Sequence, residues 1–222
     1  MQDKRLMDNS FSTTQPAVEI NKVLKNTYML LSMTLLFSAV TAGVAMAAGL
    51  ARGPSLLFML GAFGSMFMVH KNADSSKGLV WVFVFAGLMG ASLGPMLNHY
   101  LSMAGGPQLV MQALAGTGII FFALSGYALV TRKDFSFMGG FLFVGLLVAI
   151  VASIANIFLA IPALYLATSS AIVLIMSGLI LFDTSRIIHG GETNYIRATV
   201  GLYLSVYNIF VNLLALLGIM DD

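Results

Sequence analysis

The sequence predicts an all-α polytopic membrane protein with seven transmembrane helices. Three observations carry this. The 222 residues are 59% hydrophobic and only 9% charged, where a soluble domain carries about 25% charged residues; the mean hydropathy is +0.92. The apolar runs are roughly twenty residues long and do not alternate in polarity, which suits helices crossing a hydrocarbon core of about 30 Å and not the short alternating strands of a barrel. The basic residues, finally, collect in alternate connections.

Residues 1–27 form a polar cytoplasmic tail, with Asp3, Lys4, Arg5, Asp8, Glu19, Lys22 and Lys25, and with Ser10–Thr14 and Pro16 arguing for disorder to about residue 18. No apolar segment of a secretory signal precedes the first run. The seven-helix region occupies residues 28–219, with runs near 28–50, 55–70, 79–97, 109–131, 135–161, 163–183 and 195–219. The second run is the shortest and holds Gly61 and Gly64, so it is the weakest span. Residues 220–222 make a short external C-terminus.

With the N-terminus inside, Lys4, Arg5, Lys22, Lys25, Lys71, Lys77, Arg132, Lys133, Arg186 and Arg197 all fall inside, and only Arg52 outside. Ten of eleven basic residues on one side is a strong positive-inside pattern. Six spans would break it.

Small residues four apart, Gly49/Gly53, Gly61/Ser65 and Gly90/Gly94, are expected to let helices approach closely where no hydrophobic force drives association. The Met and Phe residues are read as lipid-facing or packing groups. Zero cysteines exclude disulfides and thiolate metal sites, and no basic cluster suggests nucleic acid.

Catalytic readings fail on geometry. Gly90-Ala91-Ser92-Leu93-Gly94 matches a nucleophile-elbow string. Its base would have to be His99, about 10 Å further along the same helix, or His70 or His189 at the opposite face. The three histidines are too scattered for zinc, so no catalytic, cofactor or metal residues are assigned. His189-Gly190-Gly191-Glu192 reads as a helix C-cap, with Thr193 or Asn194 capping the last helix.

The last run carries Arg197, Gly201, Ser205, Asn208 and Asn212 at spacings of 4, 4, 3 and 4, a single helical face. Such a stripe should avoid lipid, which buries this helix within the bundle. Interhelical hydrogen bonding and an ion or proton path both account for it. Asp183, near the inner end of the sixth run, is an intramembrane ionisable group and so a functional candidate. Arg186 stands one turn on and could neutralise it, and Ser205 could face it. Asp183, Arg186, Ser205, Asn208 and Asn212 are therefore the candidates for ion or proton sensing or gating.

Gly90-x-x-Leu93-Gly94-Pro95-x-Leu97, with Ala113, Thr117 and Phe122, resembles the signature of the Bax inhibitor-1 (TMBIM) superfamily, as do Phe182-Asp183-Thr184 and Leu202-Tyr203-Leu204-x-x-x-Asn208-x-Phe210. One signature position, normally Ala or Ser, is Gly118 here. The strings TRKDFSFMGG (131–140) and IIHGGETNYIRATVGLY (187–203) resemble its bacterial YccA branch. The resemblance covers residues 20–219. It implies seven helices with the seventh central, residence in the bacterial inner membrane, and modulation of the FtsH AAA protease, of which such proteins are also substrates through their N-terminal tail. Other members are pH-sensitive calcium leaks in which two aspartates share a proton; here the first matches Asp183 and the second is replaced by Ser205, which sets this chain apart from that latch. FtsH, the lipid bilayer, and calcium or protons are the implied partners.

Overall fold

A computed structural model describes residues 17–220. The predicted disorder up to residue 18 falls almost wholly outside them, as does most of the external segment 220–222. Eight helices follow one another: α1 (Ala17–Ala47), α2 (Arg52–Asn72), α3 (Ser76–Ser92), α4 (Gly94–Leu101), α5 (Gly106–Thr131), α6 (Gly139–Leu159), α7 (Pro162–Ile188) and α8 (Tyr195–Met220), with a 3-10 turn at Ser136–Met138 before α6. The α3–α4 pair makes one span, Ser76–Leu101, so seven segments among the described residues are long and apolar enough to cross a membrane. The fold class is the one the sequence predicts.

Local chemistry accounts for the boundaries. Helix α1 starts at Ala17, well before the apolar run at residue 28, because nothing between Pro16 and Gly43 breaks a helix and Glu19 suits the positive end of the helix dipole. It ends in a left-handed Gly49 (φ 62°), whose amide bonds to Met46 O while that of Leu50 reaches Ala45 O, a paired closure of the last carbonyls. Gly94-Pro95 separates α3 from α4, since Pro95 has no amide to continue the ladder. Helix α7 runs on past Asp183 to Ile188, so Arg186 is helical and not part of the turn.

Helix α8 is the axis. It packs against α1, α2, α3, α5 and α7, and half of its most apolar window is buried, against 11% for α6, which lies outermost on α7. Tyr203 is fully buried at its middle, edge-on to Phe85 at 5.2 Å, with its hydroxyl bonded to Ser38. Tyr207 is hydrogen-bonded to Ser92 at 3.2 Å. These bonds tie α8 to α1 and α3. Large apolar side chains on α6, such as Phe141, Phe143, Val144 and Val148, are exposed, as lipid-facing groups must be.

The small pairs behave differently from one another. A Cβ at Gly90 would strike the Ser38 carbonyl and the Thr41 hydroxyl, and one at Gly94 would sit 2.8 Å from Ala45 Cβ. This pair therefore seats α3 and α4 on α1. Gly49 and Gly53 do not form a packing pair: Gly49 is the turn residue closing α1, and neither has anything within 4 Å of an added Cβ.

Candidate functional site

With α3 and α4 counted as one, the seven spans alternate in direction, so Lys22, Lys25, Lys71, Lys77, Arg132, Lys133, Arg186 and Arg197 gather at one end of the bundle and Arg52 lies at the other. At the basic end, α7 closes on Gly190 (φ 74°), with the Gly190 amide on Ile187 O and the Gly191 amide on Arg186 O at 2.7 Å. This is the glycine C-cap that the sequence leads one to expect. Asn194 is the N-cap of α8: its Oδ1 accepts from the amides of Ile196 (2.9 Å) and Arg197 (3.2 Å). Its Nδ2 also donates to Ala73 O and Asp74 Oδ1, which fastens the α2–α3 turn to the start of α8.

This double cap fixes Glu192 between two guanidiniums. Arg186 lies 3.8 Å away and Arg197 3.5 Å, around a Glu192 side chain only 15% exposed. Arg186 also donates to Gly191 O at 3.1 Å and stands 5.5 Å from the Phe182 ring centre. The expectation that Arg186 neutralises Asp183 thus meets a different geometry. Among the described residues both ion pairs of the cluster go to Glu192.

Asp183 lines a cavity of about 290 Å³ with Arg186, Glu192, Arg197, Gly201 and, from α2, His70. The α8 residue against its carboxylate is Gly201, where an added Cβ would be 2.8 Å from Asp183 Oδ2. Ser205, one turn on, is buried and does not line this cavity. The Asn208 and Asn212 amides donate to carbonyls of their own helix, Leu204 O and Asn208 O. The polar stripe thus divides. Arg197 and Gly201 face the charged cavity, while the two asparagines return to the backbone.

Sequence reasoning missed two contributors. Glu192 was legible only as part of a cap, and its placement between Arg186 and Arg197 needs the backbone reversal at Gly190. His70 comes from a distant helix; its Nδ1 contacts Met66 O at 2.9 Å. Nearby, Ser185 Oγ donates to Lys133 O and accepts from the Phe135 amide, pinning the α5–α6 connection to α7. In that connection the Ser136 hydroxyl and amide hold the Asp134 carboxyl below the usual carboxylate range. Ser92, the candidate elbow serine, bonds to Met89 O and Tyr207 OH, so its partners are a carbonyl and a phenol. No group of three or more His, Asp or Glu residues suited to a metal occurs among the described residues.

Set beside known proteins, residues 20–222 match the family described as inhibitor of apoptosis-promoting Bax1. A membrane protein of Vibrio cholerae is 52% identical over 212 residues, 95% of each chain. The Escherichia coli protein named Modulator of FtsH protease YccA is 50% identical over 214 residues, 96% of this chain and 97% of its own. A Pseudomonas aeruginosa protein is 43% identical over 219 residues, 99% of this chain and 98% of its own.

Proposed function

Because the chain belongs to the Bax inhibitor-1 family, we propose that it is an inner-membrane protein that binds and restrains an FtsH-type AAA protease and is itself a substrate of that protease. The observation that carries this reading is the 50% identity, across 96% of the chain, to a relative named as a modulator of FtsH. The polar segment 1–18 supplies the handle for degradation, and the basic end faces the cytoplasm, with the C-terminus periplasmic. Modulation requires no chemistry from the bundle, only a surface and a handle. The test is co-purification with FtsH and the half-life of a known FtsH substrate when this protein is overproduced. Association with slowed turnover is the expected result. Unchanged turnover without association defeats the reading.

A second reading has its own observation: Asp183 lines a cavity at the basic end, and both ion pairs of the cluster go to Glu192. A calcium, cation or proton leak would pass Asp183 and Arg186, and continue along the α8 face of Ser205, Asn208 and Asn212. It predicts that Asp183→Asn alters flux into proteoliposomes. Liposomes tight to calcium from pH 5 to pH 8 sink its calcium form. Deleting residues 1–18 separates the readings, since it changes FtsH-dependent turnover and leaves a leak intact.

A further inference from the structure

Between α1 and α5 the bundle has a side window. Both helices pack on α8, yet their backbones do not pack on each other. The gap is a cavity of about 600 Å³, within the range of small-ligand sites. Its back wall is α8, through Tyr203, Val206, Tyr207 and Phe210. The rings of Tyr28 and Phe121, 5.8 Å apart, close one end. Helix α4 packs on both α1 and α5 and closes the other. Leu114 and Phe122 stand exposed at the lips.

Two glycines hold the window open. Gly43 on α1 and Gly118 on α5 both line it, and a Cβ on either would meet nothing within 4 Å. Protein interiors are close-packed, so a void of this size facing a bilayer fills with something. Water is a poor occupant, because it needs two to four free polar partners. The lining hydroxyls of Tyr28, Ser32, Ser38, Thr117, Tyr203 and Tyr207 already bond within the protein. The largely apolar lining suits a single hydrocarbon chain. The lining runs about 18 Å along α5, from Val110 to Phe122, and about 27 Å along α1, from Tyr28 to Met46, long enough for an extended chain within a hydrocarbon core of about 30 Å.

We propose that this window is a lipid site that takes one acyl chain of a phospholipid from the surrounding bilayer. Helix α8 thereby touches lipid at its middle, although the other helices surround it.

The test uses the full chain reconstituted in phosphatidylethanolamine/phosphatidylglycerol vesicles containing a phosphatidylethanolamine with a mid-chain diazirine. Photolabel mapped by mass spectrometry is expected on α8 at Val206–Phe210 as well as on lipid-facing residues of α6 such as Phe143. Gly118→Phe and, separately, Gly43→Phe fill the window. Each should lose the α8 label, keep the α6 label and keep the wild-type unfolding temperature. Absence of α8 label in the wild type overturns the proposal, as does α8 label that persists in both variants. The chain has no cysteine, so Gly118→Cys supplies a single thiol. Its rapid reaction with a membrane-impermeant, water-soluble thiosulfonate would show a water-filled window and also overturn the proposal. Protection of that thiol is the expected result.

Discussion

Replacing Glu192 with Gln removes the charge that Arg186 and Arg197 share and leaves shape unchanged. The Asn194 amide, which Glu192 Oε1 accepts at 2.9 Å, keeps an acceptor in the Gln carbonyl, so the perturbation is almost purely electrostatic. At 3.5 and 3.8 Å each pair has a gross attraction of about 4–5 kcal/mol at an effective dielectric constant of about 20. Solvent reduces this strongly, because each arginine side chain is 37% exposed. A fully exposed pair contributes about 0–1 kcal/mol and breaking a fully buried one costs about 3–5 kcal/mol. The Glu192 cluster lies between, so the expected loss is about 1–2 kcal/mol, or roughly 2–8 °C in unfolding temperature for a chain of this size. The lone tryptophan, Trp81, packs against the main core, and its fluorescence reports unfolding in detergent micelles. A cycle with Arg197→Met isolates the pair, because Glu192→Gln should cost clearly less when Arg197 is already gone. Equal stability of Glu192→Gln and wild type, or equal cost in both backgrounds, refutes the claim that this carboxylate holds the α7–α8 turn.

Gly90→Ala should destabilise by about 1–3 kcal/mol, because its Cβ meets the Ser38 carbonyl, a backbone atom that cannot step aside. Gly201→Ala should cost less in the same unfolding assay, because its clash is with the movable end of Asp183 and alanine favours the helix by about 1 kcal/mol. Asn194→Ala should cost about 1 kcal/mol for the lost cap, and should speed hydrogen exchange at the Ile196 and Arg197 amides that Asn194 caps. Asp134, held below the usual carboxylate range by Ser136, should titrate at lower pH than a free aspartate in carboxyl NMR. Ser136→Ala should move that midpoint upward. The sign follows from a depressed folded-state value: the stabilisation is complete above about pH 4 and fades as pH falls through that lower value.

The fold class and the number of spans were legible because bilayer physics acts on composition and length, which are properties of the sequence itself. The same holds for the cap at Gly190 and for an N-cap at Thr193 or Asn194, since left-handed backbone and orphan amides select residue types locally; the structure gives the N-cap to Asn194. Burial of α8 was legible from polar groups four apart, which cannot face lipid. What that stripe does was not. Asn208 and Asn212 can bond across helices or to the carbonyl four residues back, and their spacing permits both; the packing of α8 sends them back to the backbone.

The sequence by itself determined that this chain lies in a membrane as seven spans, and that a charged residue, Asp183, ends the sixth beside a polar last helix. Only the tertiary structure decided who meets whom. Reversal at Gly190 gives Arg186 and Arg197 to Glu192; the approach of α8 puts Gly201 against Asp183; α2 brings His70 to the same cavity. The window between α1 and α5 exists because both helices lean on α8 and not on each other. Helical spacing fixes which residues share a face, but the neighbour that face meets depends on how distant segments cross, and short-range spacing carries no record of that.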